Sequence, residues 1–453
     1  MRYLAEHTNS SLTKSTQYLS SLMEDVLIRA KKQGASDAAV SVNHDEGFSV
    51  NVRMGEVETV AFSEEKGIGI TVYLGQKKGS ASSSDTSAQA LDAMISAAID
   101  IARVSASDPC FGLPDPSLIQ KDYLNLDLLH AWSITPSEAI TLATTCETQA
   151  LNLDKRITNS DGVSVSSYTF CSGYASSQGF MGIVPGSRHS ISCSLIAKEN
   201  DLMQRDYEYT TTRKASELMS IELLAASAVE RTTKRLGASR LKTQKCPVIF
   251  SSRVSSGLFS SFIAAISGSN LYRKNSFLLN NLEKTLFPSD IQVYEQPHIM
   301  GGLGSSPFDG EGVITRHNCF IKDGILRQYA LGSYSARKMG LETTANSDGV
   351  HNLTIDSTAG DLQDLLKKMD TGLLVTELMG QGVNILTGDY SRGATGFWVE
   401  KGMIQFPVEE ITIAGNMKDM FQHIVAVGSD VNPNIATRCG SILLEEMMIA
   451  GDA

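Results

Sequence analysis

The feature that most constrains this chain is a switch in hydrophobic period that occurs twice in its first 240 residues. Leu19, Leu22, Met23, Val26, Leu27 and Ala30 follow the i, i+3, i+4, i+7 spacing of an amphipathic helix, and Gly34 fits its C-cap. The period then drops to two. Phe48, Val50, Val52 and Met54 alternate with polar residues, Gly55-Glu56 reads as a turn, and Ile68, Ile70, Val72 and Leu74 alternate again. Asp85 is the candidate N-cap of a second helix with Leu91, Met94, Ile95, Ala98 and Ala102 on its apolar face. The same order then returns. Thr135-Pro136-Ser137-Glu138 reads as a capping box, and strands run from about Arg156 to Thr211 with hairpin signals at Asn159–Gly162 and Glu199–Asp201. Leu218, Ile221, Leu224, Ala225, Ala228 and Val229 line a closing helix.

Beyond residue 240 the pattern changes. Cys246 to Phe250 reads as a strand and Val254 to Ile266 as a helix. The rest is rich in glycine and short strands, with one further regular helix at Ala359–Met369. Glycine at that density predicts tight turns and bulges in a curved or layered sheet. The fold class is α+β: two N-terminal helix–antiparallel sheet–helix units and a larger Gly-rich, β-rich C-terminal domain. The expected divisions are a flexible N-terminus (1–15), an N-terminal α+β domain (16–105), a linker (106–128) carrying Pro109, Pro114 and Pro116, a middle α+β domain (129–240) and a C-terminal domain (241–453).

Composition narrows the function. Lys and Arg number 39 against 50 Asp and Glu, a net charge of −11, whereas a binder of phosphate backbones ordinarily carries a basic excess. The basic stretch Lys234, Arg235, Arg240, Lys242 and Lys245 has no interleaved aromatics and reads as a solvated interdomain face, so no direct nucleic-acid partner is expected. No 18-residue apolar run and no apolar leader core occur, so the expectation is a cytoplasmic protein without a membrane partner. The seven cysteines include no CxxC pair and read as reduced thiols.

Several common chemistries are missing. The two nearest of the eight histidines are 19 residues apart, and there is no HExxH helix, no G-x-S-x-G elbow and no Gly-Lys dipeptide for a Walker loop. Gly301-Gly302-Leu303-Gly304 departs from the dinucleotide fingerprint, because Pro307 stands where its third glycine belongs; a tightly turned loop is the plainer reading. Asp309 and Glu311, two apart between glycines, could bind a cation, act as acid and base, or form a solvated turn. The segment Thr387–Trp398 is the densest group of unusual residues. Asp389 and Arg392 could pair and hold a Gly-rich hairpin, while Tyr390 and Trp398 are candidate contact surfaces for a peptide or a second subunit. Cys439 follows Arg438, which could activate it; a buried thiol is the plainer reading.

The C-terminal region decides a resemblance. Gly372–Asn384, the Thr387–Trp398 cluster, Pro407–Asn416 and Pro307–Gly312 together resemble the TldD/PmbA metallopeptidase family, also called modulators of DNA gyrase, in its PmbA (TldE) type. The likeness extends over nearly the whole chain. It implies a partnership: TldD-type members carry an HExxxH zinc motif and join the PmbA type in a heteromeric peptidase that matures a peptide antibiotic and degrades an antitoxin. That motif lies on the helix after the first strand of the third domain, placed here at Ser260-Ser261-Phe262-Ile263-Ala264-Ala265. No histidine or glutamate occurs between Arg253 and Leu282, so the ligands and the base would be missing whatever the register. Cys439 matches a further metal ligand of the catalytic type, and one thiolate does not make a four-coordinate site.

The resemblance therefore implies a non-catalytic subunit with no cofactor of its own. Zinc is expected in a TldD-like partner, unfolded peptides are the substrates, and the chain alone forms a homodimer through its third domain. The rival readings are an autonomous hydrolase around Asp309, Glu311 or Cys439, and a regulator of DNA gyrase or of a toxin–antitoxin pair.

Overall fold

A computed structural model describes residues 2–120 and 122–451, with side chains from Thr16 onward. The first unit comprises α1 (Arg2–Lys32), β1 (Asp37–Arg53), β2 (Glu56–Leu74), β3 (Lys77–Ser83) and α2 (Ala88–Val104). The segment expected to be flexible, 1–15, has its side chains outside the described residues. Gly34, at φ +99°, lets the chain leave α1. Gly34 N donates to Lys31 O and Ala35 N to Ala30 O, the paired bonds of a Schellman end. Met54 and Gly55 both have positive φ and make the β1–β2 turn. The cap of α2 is Ser87 rather than Asp85: Ser87 Oγ accepts from Ala90 N, and Asp85 instead accepts from the backbone and hydroxyl of Ser87.

The second unit comprises α3 (Pro136–Leu153), β4 (Ile157–Ser176), β5 (Met181–Glu199), β6 (Leu202–Thr212) and α4 (Ile221–Lys234). The capping box at Thr135 and Glu138 is formed, and Asn200 at φ +55° turns β5 into β6. Asn159–Gly162 is not a hairpin. It lies inside β4 as a pair of register shifts against β5, so its glycine marks a bulge rather than a reversal.

The two units share one sheet. β1 pairs antiparallel with β4 from Ala39–Ser176 to Val52–Val163, giving a six-stranded order β3-β2-β1-β4-β5-β6. Because side chains alternate, Val40, Val42, Val50 and Val52 all face one side. α1 and α2 cover the first two and α3 and α4 the last two, in separate apolar clusters. On the opposite face, Ala39, Tyr73 and Tyr174 pack with Leu113 of the linker, Phe180 of the β4–β5 turn and Phe308 of the third domain.

The third domain runs β7 (Gln244–Phe250), α5 (Ser252–Ile266), α6 (Gly268–Tyr272), β8 (Val293–Glu295), β9 (Asn318–Lys322), β10 (Ile325–Leu326), α7 (Ser333–Met339), β11 (Leu353–Ile355), α8 (Leu362–Met369), β12 (Gly372–Met379), β13 (Asp389–Glu400), β14 (Met403–Asn416), α9 (Met417–Gln422), β15 (Ile424–Val427), β16 (Thr437–Arg438) and β17 (Ile442–Ala450). One sheet is ordered β10-β9-β8-β11-β16. The other is ordered β14-β13-β12-β7-β17-β15 and bends until β14 also pairs with β17, from Thr412–Ala450 to Ala414–Met448. That closure needs curvature, and register shifts supply it at Val375/Glu377 and Ala394/Gly396. At Gly396 a Cβ would stand 1.8 Å from Leu374 O.

Gly396→Ala should therefore lower stability by about 3 kcal/mol, the upper end for a forced overpacking. Urea unfolding checks it; an unchanged midpoint would show that the ring does not depend on that close approach.

Candidate functional site

The first strand of the third domain, β7, feeds directly into α5. Leu258, Phe259, Phe262, Ala265 and Ile266 are buried on that helix, which ties its second half into the core. Ser260 and Ser261 bond back to Ser256 O and Gly257 O of their own helix. Cys439 is fully buried against Ser255, in the first turn of α5, and burial pushes its thiol up to about 12. Arg438 donates to Pro433 O, so it does not activate the thiol beside it. The part of α5 that faces Cys439 therefore lies N-terminal to the Ser260–Ala265 segment. Ser252 N donates to Ser441 Oγ, and Ser441 donates in turn to Asp430. Among the described residues no group of three or more His, Cys, Asp or Glu side chains is placed to hold a metal ion. The donors around Cys439 do not make a zinc site.

Asp309 and Glu311 sit on the loop that meets the N-terminal sheet. Asp309 is buried, and its carboxylate accepts from Glu311 N and Val313 N at 3.0 Å and from Ser347 N at 3.1 Å. Burial, then the charge of Glu311, raises Asp309 to about 6. Glu311 accepts from Ser333 N, the first residue of α7. Both carboxylates are thus committed to backbone N–H groups rather than to a solvated turn. They flank two cavities. One, of about 330 Å³, lies between Phe170 and Tyr174 of β4 and Asp309. The other, of about 420 Å³, is lined by Ile263, Tyr272, Glu311 and Tyr334.

Sequence reading missed the polar network behind this loop. Glu295, fully buried, accepts from Asn318 Nδ2, from Asn346 Nδ2 at 2.8 Å and from His351 N at 2.7 Å. His351 stands 3.8 Å from both Glu295 and Asp348. Burial raises the Glu295 carboxyl. The signal available was a glutamate at the end of an apolar strand, but its partners lie 23 to 56 residues away. Arg213 was missed too. It is buried at the end of β6 and donates to Gly302 O and Leu303 O, so the glycine run is a docking loop for a guanidinium.

The Thr387–Trp398 cluster comes apart in space. Asp389 and Arg392 do not pair, because residues three apart in a strand point to opposite faces. Asp389 accepts from Thr387 Oγ1 and Asn416 Nδ2. Tyr390 is not a surface residue: it is 3% exposed and packs edge-on against Phe250. Trp398 is half-buried and donates to Glu400. Arg392 turns toward Arg253 and Glu377, in a third cavity of about 280 Å³. The basic stretch is neutralised in part, through pairs from Arg235 to Glu377, Arg240 to Glu410 and Lys245 to Glu446.

Three models that describe PmbA/TldA metallopeptidase domain 1, central domain and C-terminal domain match residues 38–102, 129–236 and 243–451. The chain belongs to the TldD/PmbA metallopeptidase family. It is 49% identical over 419 residues to the metalloprotease PmbA of Escherichia coli O157:H7, covering 92% of this chain and 93% of that one. It is 43% identical over 449 residues to a PmbA homolog of Haemophilus influenzae, covering 99% of each. A proposed modulator of DNA gyrase from Bacteroides thetaiotaomicron superimposes with a TM-score of 0.90 at 28% identity, over 95% of this chain and 98% of that one. Within the TldD/PmbA fold, then, polar groups converge at the Asp309–Glu311 loop with the Glu295 network behind it, at the first turn of α5 and at the Arg392 cavity.

Asp309 generates a pH prediction. Its folded value lies above the ordinary carboxylate value of 3.8, so its stabilising contribution is complete below about pH 4 and lost as pH rises through about 6. Two pKa units correspond to at most about 3 kcal/mol. The difference in unfolding free energy between the native chain and Asp309→Asn should change with that sign between pH 4 and pH 7. A difference that is flat with pH would show that Asp309 titrates normally.

Proposed function

We propose that this chain is the non-catalytic subunit of a TldD-type zinc peptidase acting on unfolded peptides in the cytoplasm. The observation that carries the proposal is α5. In the family likeness this helix should hold two zinc ligands and a glutamate base, and Ser252–Ile266 contains only serine, glycine, apolar residues and Arg253. A serine hydroxyl neither replaces imidazole as a zinc ligand nor a carboxylate as a base. Zinc, when bound in a TldD-like partner, would polarise the scissile carbonyl and activate water there. The present chain would complete the enclosure around the peptide and orient it.

Without that partner the chain forms a homodimer through the third domain. Tyr390, being buried, is not part of that surface. Trp398 with the exposed Met403 and Ile404 of the neighbouring β14 supplies its apolar centre. No helix among the described residues is long and apolar enough to cross a membrane.

The test combines metal analysis with peptidase assays. The isolated chain should carry far less than one zinc per molecule and cleave no unfolded peptide, and cleavage should appear when a TldD-type chain is added. Cleavage by the isolated chain, with stoichiometric zinc that Cys439→Ser abolishes, would establish it as an enzyme in its own right. Sedimentation across a concentration series reads the homodimer.

A further inference from the structure

The cavity of about 280 Å³ lies where the second and third domains meet. Tyr207 of β6, Arg253 and Ser256 of α5, Glu377 and Leu378 of β12 and Arg392 of β13 face it. Its charges do not cancel. Asp206 is shared by Arg231 at 3.9 Å, Arg235 at 3.5 Å and Arg253 at 3.5 Å. Glu377 is taken by Arg235 and by the Thr395 hydroxyl, and Glu208 by Arg231 and Ser227. Four arginines, counting Arg392, stand against these three carboxylates, so the cluster carries one unmatched positive charge. Arg392 has no carboxylate within ion-pairing distance among the described residues, although Glu377 lines the same cavity; the Tyr390 hydroxyl lies beside it.

The donors are also unfinished. Arg253 is held rigidly: Nη1 donates to Tyr207 O at 2.9 Å, and its guanidinium carbon sits 4.0 Å above the Tyr207 ring. Its Nη2 is buried with no partner, and so is Nε of Arg392. A buried charged donor left without an acceptor is costly, and such groups call for an explanation. Two guanidinium groups line one small cavity, and each keeps a buried N–H without a partner, a donor pair that suits the oxygens of a planar anion.

We propose that this cavity is a carboxylate site, in which Arg253 and Arg392 hold a carboxylate of a bound peptide. The single excess charge matches a monoanion, whereas a phosphate dianion would leave the cluster negative. Leu378 and the Tyr207 ring give the apolar wall that an aliphatic residue next to the carboxylate would cover. The volume suits one residue rather than a folded partner. The proposal rests on the peptidase-subunit reading only for the origin of the ligand; the site itself belongs to this chain.

Isothermal titration of the full chain, without any partner, tests it with three N-acetylated tetra-alanine probes. One has a free C-terminus, one is C-terminally amidated, and one is amidated with glutamate replacing the third alanine. At least one charged probe should bind ten times or more tighter than the neutral amide. The free acid winning identifies a C-terminal site, and the glutamate probe winning identifies a side-chain site. Arg253→Gln and Arg392→Gln should each bring the charged probe down to the level of the neutral one, and Arg392→Lys should recover part of the difference. Equal binding of all three probes, no binding of any, or folded glutamine variants that keep the preference would each overturn the site. So would inorganic phosphate competing better than acetate. If both glutamine variants fail to fold, the comparison of charged and neutral probes on the native chain decides alone. Because no TldD-type chain is present, loss of the peptidase-subunit reading would not remove a positive result.

Discussion

The β1–β4 ladder is the interaction on which the rest of this molecule depends. Fourteen residue pairs, Ala39–Ser176 to Val52–Val163, fuse two helix–sheet–helix units into one six-stranded surface. Each unit covers one face of its own three strands with its own helices, and the ladder makes the uncovered faces continuous. Joined, they devote one face to two helix pairs and offer the other as a floor for the third domain. Gly182 and Gly47 show how close the fit is. A Cβ at Gly182 would meet the ring of Phe308 at 2.5 Å, and one at Gly47 would meet Ser167 O at 2.3 Å. All that is distinctive in the third domain is positioned relative to that floor.

The contact between floor and third domain is polar at its centre, which is unusual for an area that buries so much aromatic surface. Arg213 leaves water almost completely, and burial together with Arg188 lowers it to about 10. Three carbonyl oxygens, from Ser187, Gly302 and Leu303, replace its hydration, and Phe170 lies under its plane. Glu295 shows the same logic with the opposite sign, since amide donors from Asn318 and Asn346 and a backbone N–H occupy its oxygens. Such groups contribute little net stability, but a misdocked arrangement would leave them unsatisfied. Phe308 and its aromatic neighbours supply the area, and Arg213 selects the register.

How much of this was legible follows the range of each interaction. The end of α1 at Gly34, the Thr135–Glu138 box and the turn at Asn200 depend on residues within five of one another, and all are as their sequence reads. Ser87 against Asp85 is a two-residue error of the kind that competing Asx and N-cap bonds produce. The Asn159–Gly162 reversal failed for a longer-range reason, because β4 continues past its glycine to pair with β1 as well as β5. Alternation fixes which face a strand buries but not which strand it meets, so the fusion of the two sheets was not readable. The same limit dispersed the Thr387–Trp398 cluster. Its composition was informative, but strand geometry sends Asp389 and Arg392 apart, and the residues that share a cavity with Arg392 come from β6, α5 and β12, far away in sequence.

Cys439 lies in an environment that favours the neutral thiol. A thiolate serves a metal only if something nearby stabilises its negative charge, and in a zinc site the cation and its other donors do so. Around Cys439 are the hydroxyl of Ser255, the carbonyl of Gly440 and the carboxylate of Asp430, none of them positive, and burial holds the thiol protonated. The adjoining groups are spent on structure: Ser441 receives Ser252 N and is itself fixed by Asp430, which locks the start of α5 to β17. A helix whose first turn is bound in this way has exchanged donor capacity for rigidity. The positive charge of the region lies instead toward β6 and β13, at Arg253 and Arg392, one face of α5 away from the cysteine.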